Sequence, residues 1–236
     1  MTDATLYMSQ QYNPHSLDRE WGFVLAKKRP ALIRSQDLQS ARIDLAKEIV
    51  DSYVPLQSDH TLPAISGAVK ADGIDPDPKV LIAQVGTDIV RLALLADVPL
   101  HRPIRITHNS LVGHWRWLRQ VWTCFWYDTN NTALSATSTT ATPNTLTGNP
   151  PDNITGKIIS DTRHHIETGR FHTAIAALHQ QFQAISLSDK APEISPARLS
   201  FLQDLTLFCP FIGTELLYRH GYAPNGPGHQ TKDSEE

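Results

Sequence analysis

Apolar residues recur at helical spacing through most of this chain, and short polar or proline-marked breaks divide the pattern into helices. Over 35–53, Leu38, Ile43, Leu45, Ile49 and Val50 fall at roughly helical intervals with polar residues between them. Ser35 is the expected N-cap. The preceding EWGFVLAKKRPALI is expected as a short strand or a turn of helix ending at Pro30, with Lys27, Lys28 and Arg29 as a solvated basic turn. Asp75 and Pro76 predict the start of a helix over PDPKVLIAQV that stops at Gly86. Thr87 or Asp88 then caps a further helix, with Ile89, Leu92 and Leu95 or Ala96 on one face, broken by Pro99 and Pro103.

The next pattern is the strongest. In NSLVGHWRWLRQVWTCFWY, Leu111, Trp115, Leu118, Trp122 and Phe125 share one face, and Trp117, Val121 and Cys124 widen it. So wide an apolar arc predicts a helix inside a bundle. Residues 129–150 are rich in Thr, Ser and Asn and are expected as a mobile connection. Two more helices follow: 152–186, irregular at Gly169, and 195–220, interrupted at Pro210. The tail from Pro224 is polar and expected to be disordered. The fold class is therefore mainly α, with an antiparallel helical bundle in the C-terminal two-thirds.

Composition sharpens this picture mostly by exclusion. The chain has 236 residues, 40% of them hydrophobic, enough for a real core. Its formal net charge is −3, so no global basic field attracts nucleic acid, and DNA is not an expected partner. The two cysteines, Cys124 and Cys209, lie far apart among apolar residues and are expected reduced and packed. No signal peptide or membrane-spanning stretch is visible, which makes a cytoplasmic location the expectation.

The chemistry-bearing residues form few constellations. His165, His172 and His179 recur every seven residues, about 10 Å apart along a helix, too far for neighbours to share a metal. A solvated or hydrogen-bonded stripe is expected, with no metal and no cofactor. No catalytic triad, Walker loop or GxGxxG stands out. Trp115, Trp117, Trp122 and Trp126 offer aromatic surface beside Arg116 and Arg119; core packing is the reading for most of the rings, with the arginines exposed.

Four motifs carry a family resemblance. GIDPDPKVLIAQVGTDIVRLALL resembles the segment after the lysine signature loop of class I aminoacyl-tRNA synthetases, leucyl-tRNA synthetase in particular, through Gly73, Ile74, Asp75, Pro76, Gly86, Asp88, Arg91 and Leu92. GHWRWLRQVW is similar to the family's G-x-x-R-F-L-R-R-V-W, through Gly113, Arg116, Leu118, Arg119, Val121 and Trp122. ETGRFHTAIAAL resembles the R-F-N-T-A-I-A-A-L of its anticodon-binding bundle, and FCPFIGTELLYRHG resembles F-A-P-H-I-A-E-E-L-W. Together they cover roughly residues 65–222, and residues 1–60 show no resemblance.

The departures limit what the resemblance implies. The K-M-S-K-S signature falls on Ile65, Ser66, Gly67, Ala68 and Val69, so both lysines are gone and only Lys70 remains beside it. That loop stabilises the pyrophosphate side of amino-acid activation in the family, a role that needs cations. The ATP-gripping H-I-G-H motif is absent from the sequence. The resemblance thus implies no catalytic residues, a remnant connection at 61–100 serving as a hinge, and an anticodon-binding-like bundle at 101–222. The candidate RNA-facing residues are Arg102, Arg105, Arg116, Arg119, Lys157, Arg163 and Arg170, each for phosphate contact. tRNA is the first expected partner. The alternative is a regulatory module docking on a synthetase or another protein, and a subunit completed in trans by a catalytic chain is the third reading.

Overall fold

The structure, a computed structural model, describes residues 11–29, 31–53, 62–135, 161–188 and 194–222. Helix α1 spans Pro14–Lys28, α2 Ala31–Arg34 and α3 Leu38–Tyr53. Strand β1 (Val69–Asp72) leads into α4 (Pro78–Val85) and α5 (Thr87–Leu95), and β2 (Ile104–Thr107) returns beside β1. Then come α6 (His108–Ser135), a short helix α7 over 161–167, α8 (Phe171–Ser188), α9 (Pro196–Phe208) and α10 (Pro210–Arg219). The fold is mainly α, as the periodicity predicts. The parallel β1–β2 pair, register Val69 to Ile104 through Asp72 to Thr107, is the part the helical pattern does not announce.

Several boundaries move from their expected places. The stretch expected as a short strand or a turn lies within α1 and α2. Asn13 caps α1 by accepting from the His15 and Ser16 N–H groups at 3.1 and 3.3 Å, and Pro14 fills the first position. Leu17, Trp21 and Leu25, four apart, then bury one stripe. Helix α3 is capped by Asp37, which accepts from the Ser40 N–H at 2.8 Å. The Ser35 hydroxyl instead donates to the Ala31 carbonyl and to Asp44. The sequence offers two Asp-Pro pairs before α4. Asp75 accepts from the Asp77 N–H and shapes the turn, and Asp77 accepts from Lys79 and caps the helix.

Helix α5 lies at the centre, with every residue buried. A helix buried all round must satisfy its polar side chains internally. Asp88 therefore caps no helix of its own: its oxygens accept from the Phe211 and Ile212 N–H groups at 3.2 and 2.8 Å, at the start of α10. Arg91 donates to the Phe208 and Leu207 carbonyls at 2.8 and 3.0 Å, at the end of α9, and to Glu48 at 2.9 Å.

The N-terminal helices belong to the same core. Trp21 Nε1 donates to Glu215 on α10 at 2.7 Å, and Asp18 accepts from the Thr87 N–H at 2.9 Å, at the start of α5. On α6, Trp117, Trp122, Phe125 and Trp126 are buried, and Trp115 is half-buried at the edge. Helix α6 continues through 129–135, so the first part of the Thr-rich segment is helical; 136–150 and the tail 223–236 lie outside the described residues. Gly169, at φ +66°, divides α7 from α8, so the histidine stripe is split between two helices.

Candidate nucleic-acid interface

The segment resembling the signature loop is anchored rather than free to swing. Gly67 N–H donates to the Leu100 carbonyl at 3.1 Å, and the Ala68 carbonyl accepts from Ile104 at 2.9 Å. Val69 N–H donates to Gln39 Oε1 at 2.9 Å. Below it, the fully buried Arg42 guanidinium donates to the carbonyls of Gly67, Arg102, Val98 and Pro99 at 3.0–3.3 Å. A Cβ on Gly67 would lie 1.9 Å from the Arg102 oxygen, so only glycine permits this approach. These N–H groups are consumed in building the β1–β2 unit. Val69 and Lys70 lie in β1 itself, while Ile65, Ser66 and Ala68 lead into it.

The candidate arginines separate into three settings. Arg105 is exposed on β2, is the register partner of Lys70, and pairs with Asp72 at 3.2 Å. Arg102 is exposed in the turn before β2. Arg163 on α7 faces the buried Asp204 at 3.7 Å and is thereby partly neutralised. Burial pushes the Asp204 carboxyl up to about 6, against the pull of Arg163. Arg170, exposed in the Gly169 turn, donates to the Thr168 hydroxyl at 3.0 Å. Lys157 lies outside the described residues.

Arg116 and Arg119 differ from the others. Both are exposed on α6 and, like Arg102 and Arg170, neither pairs with a carboxylate among the described residues; what sets them apart is that they share one surface. They line one open groove of about 670 Å³ with Gln120, Thr123, Cys124, Phe182 and Ser186. Arg119 also lies over the Trp115 ring, 5.5 Å from its centroid. The Thr123 and Ser186 hydroxyls donate to the Arg119 and Gln183 carbonyls, so two uncompensated guanidinium groups beside the Gln120 amide, over a phenyl floor, form the part of the surface suited to a phosphodiester.

The histidines organise differently from the expected stripe. His179 stacks on Trp117 at 3.9 Å between α8 and α6, and burial, then His114, lowers its pKa to about 4. His172 is lowered first by burial and then by His165, Arg170, His101 and Arg42, so it sits among basic groups at the Gly169 turn. Among the described residues no group of histidines, cysteines and carboxylates is arranged to hold a metal. Reasoning from sequence missed Trp115 as an edge residue. Its four-residue spacing from Arg119 was the available signal.

No family model matches the chain, and no curated protein matches it. Among solved structures it is similar to the leucyl-tRNA synthetase of Agrobacterium radiobacter K84 agnB2, determined in a ternary complex with tRNA and LeuAMS. The match has a TM-score of 0.51 at 21% identity and covers 69% of this chain. It spans 24% of the synthetase chain, so this protein has a synthetase-like fold corresponding to about a quarter of that enzyme.

Proposed function

We propose that this protein binds tRNA without aminoacylating it, using the α6–α8 groove to grip phosphates. In this reading, 101–222 acts as an anticodon-binding-like bundle and 61–100 is the remnant of a connection to a catalytic domain. The observation that carries it is the pair Arg116 and Arg119, exposed, unpaired and lining one groove. The synthetase-like fold supports it, because the similar enzyme was determined with tRNA bound. The near-neutral net charge makes the binding weak and local to the groove. A titration of tRNA against the wild type and an Arg116→Gln/Arg119→Gln variant at two salt concentrations tests it. Salt-independent binding, or binding indifferent to the double substitution, overturns it.

The alternative of a protein-docking module calls for an exposed apolar patch. Among the described residues the exposed large hydrophobic side chains are Phe23, Tyr218 and Tyr222, and Lys27 lies over the Phe23 ring. No observation favours that alternative over RNA binding.

A further inference from the structure

Basic side chains surround His172 at the start of α8, in a place the arginine groove does not use. They come from separate elements: Arg42 from α3, His101 from the loop before β2, His165 from α7 and Arg170 from the Gly169 turn. That turn packs closely on the segment leading into the signature-like loop, since a Cβ on Gly169 would lie 2.5 Å from Pro63 Cδ. His101 and Arg170 are exposed, and His165 and His172 are half-buried.

Negative charge is scarce around them. Asp161 acts on His165, against Arg170 and His164. Glu167 and Arg163 of the same helix act on Tyr53, and Arg163 faces Asp204. Among the described residues, none of His101, His165, Arg170 and His172 forms an ion pair with a carboxylate.

Arg42 gives a second, independent sign. A fully buried guanidinium ordinarily meets a carboxylate. Here its hydrogen bonds go to the Gly67, Arg102, Val98 and Pro99 carbonyls, which satisfy donors but carry no net charge. Its Nε has no acceptor, and among the described residues no carboxylate pairs with it. The start of α8 adds to the deficit. Its Thr173 and Ala174 N–H groups donate to the Arg170 carbonyl, while among the described residues no acceptor meets those of Phe171 and His172.

A cation placed here would be repelled, and a neutral ligand would leave the charge uncompensated. Donors arriving from separate elements suit the several acceptor oxygens of a phosphate better than a planar carboxylate. We propose that this junction binds a phosphate group, held by Arg170, His101 and His165 beside the uncompensated charge of Arg42. The proposal goes beyond the RNA-binding reading. His172 and Phe182, ten residues apart on α8, separate this site from the arginine groove by about 15 Å along the helix. An RNA backbone and a small phosphorylated molecule both present this group. Either would offset the repulsion on His165 and His172, so both rings take up protons as it binds.

The imidazole resonances of His165 and His172 report on the site directly. Titrating inorganic phosphate should shift both saturably, in the wild type and in Arg116→Gln/Arg119→Gln alike. His101→Gln/Arg170→Gln, at two exposed positions, should melt like the wild type and bind phosphate about tenfold or more weakly. Sulfate, whose own charge stays constant, should bind more tightly as pH falls from about 8 to about 6. Hexauridylate separates the two sources. Its binding here assigns the site to an RNA backbone, and phosphate binding without it assigns the site to a small phosphorylated molecule; both keep the proposal. No shift with phosphate, sulfate or hexauridylate overturns it. So does binding indifferent to His101→Gln/Arg170→Gln, or a flat pH response, since the anion would then not lie beside the histidines. If phosphate binds here while tRNA binding ignores Arg116→Gln/Arg119→Gln, the groove reading fails and this one stands.

Discussion

Asp88 and Arg91, one turn apart on α5, hold the two sides of a single helix break. Asp88 accepts the first free N–H groups of α10, and Arg91 donates to the last carbonyls of α9. The break at Cys209–Pro210 leaves these backbone groups without intrahelical partners inside the core. The role of both residues is structural.

Removing either should therefore destabilise the fold. Asp88→Ala leaves two buried N–H groups unpaired, a cost of about 1–3 kcal/mol. Arg91→Ala strands two carbonyls and the nearly buried Glu48, costing about 3–5 kcal/mol. Arg91→Lys should recover little, since one ammonium cannot reproduce the fork that reaches Phe208, Leu207 and Glu48. Because both act on one break, the double variant should show a coupling above about 0.5 kcal/mol in urea unfolding.

Gly67→Ala should be poorly tolerated although the segment lies near the surface. The new methyl group would meet the Arg102 carbonyl, and relief requires moving the loop away from Arg42. A loss of about 2 kcal/mol corresponds to a fall of about 4–8 °C in Tm for a chain of this size. The adjacent Ala68→Gly, at an exposed position, should cost less. Equal melting of the two variants would show that the loop is not anchored as described.

The helices with long apolar stripes were legible in sequence: α3, α6, α8, and the α9–α10 pair with its proline break. Trp122 and Phe171 are each 1% exposed, as expected for core positions. Helix α1 was legible but missed, since Asn13-Pro14 and the Leu17, Trp21, Leu25 spacing are ordinary helix signals. The strands were not legible, because VKAD and IRIT are four residues each and pair across an intervening helical segment. Nor were the roles of Arg42 and Arg91, whose partners lie 25 to 117 residues away. At the site, the exposure of Arg116 and Arg119 followed from the apolar arc of α6. The pairing of Arg163 with Asp204 did not, because it depends on how α7 meets α9.

Two half-buried histidines should weaken the fold in acid, against the opposite pull of the buried Asp88 and Asp204 carboxyls. His179 and His220 are held near 4, below the value of about 6.5 expected when unfolded. The unfolded chain thus binds protons first, and stability present above about pH 6.5 is lost as pH falls toward 4. The slope is at most about 1.4 kcal/mol per pH unit for each histidine. Asp204 runs the other way: raised to about 6, it favours the fold below about pH 4 and loses that advantage as pH rises to 6. His179→Phe should gain on wild type as pH drops, and Asp204→Asn should gain as pH rises from 4 to 6. Thermal melts of the three proteins between pH 4 and 8 check both signs.

On the proposed non-catalytic reading, in which Ile65–Val69 stand where the synthetases carry their lysine signature, purified protein should not catalyse leucine-dependent exchange of pyrophosphate into ATP. Sustained exchange that scales with protein concentration and survives further purification would reject the non-catalytic reading.

Salt dependence separates phosphate contacts from structural arginines. Each phosphate neutralised releases counterions, so the slope of log affinity against log salt counts the contacts. Arg116→Gln/Arg119→Gln should lower the tRNA slope by about 1.5–2 and leave the melting temperature nearly unchanged, because both side chains are exposed and unpaired. Arg163→Gln is the internal control. It removes the partner of a buried carboxylate, so it should lower stability at neutral pH and leave the tRNA slope unchanged. Arg105→Gln, already compensated by Asp72, should lower the slope by less than either groove arginine. If Arg163→Gln instead lowers the slope while the groove variant does not, the phosphates run along α7 rather than α6. The groove would then have no part in binding.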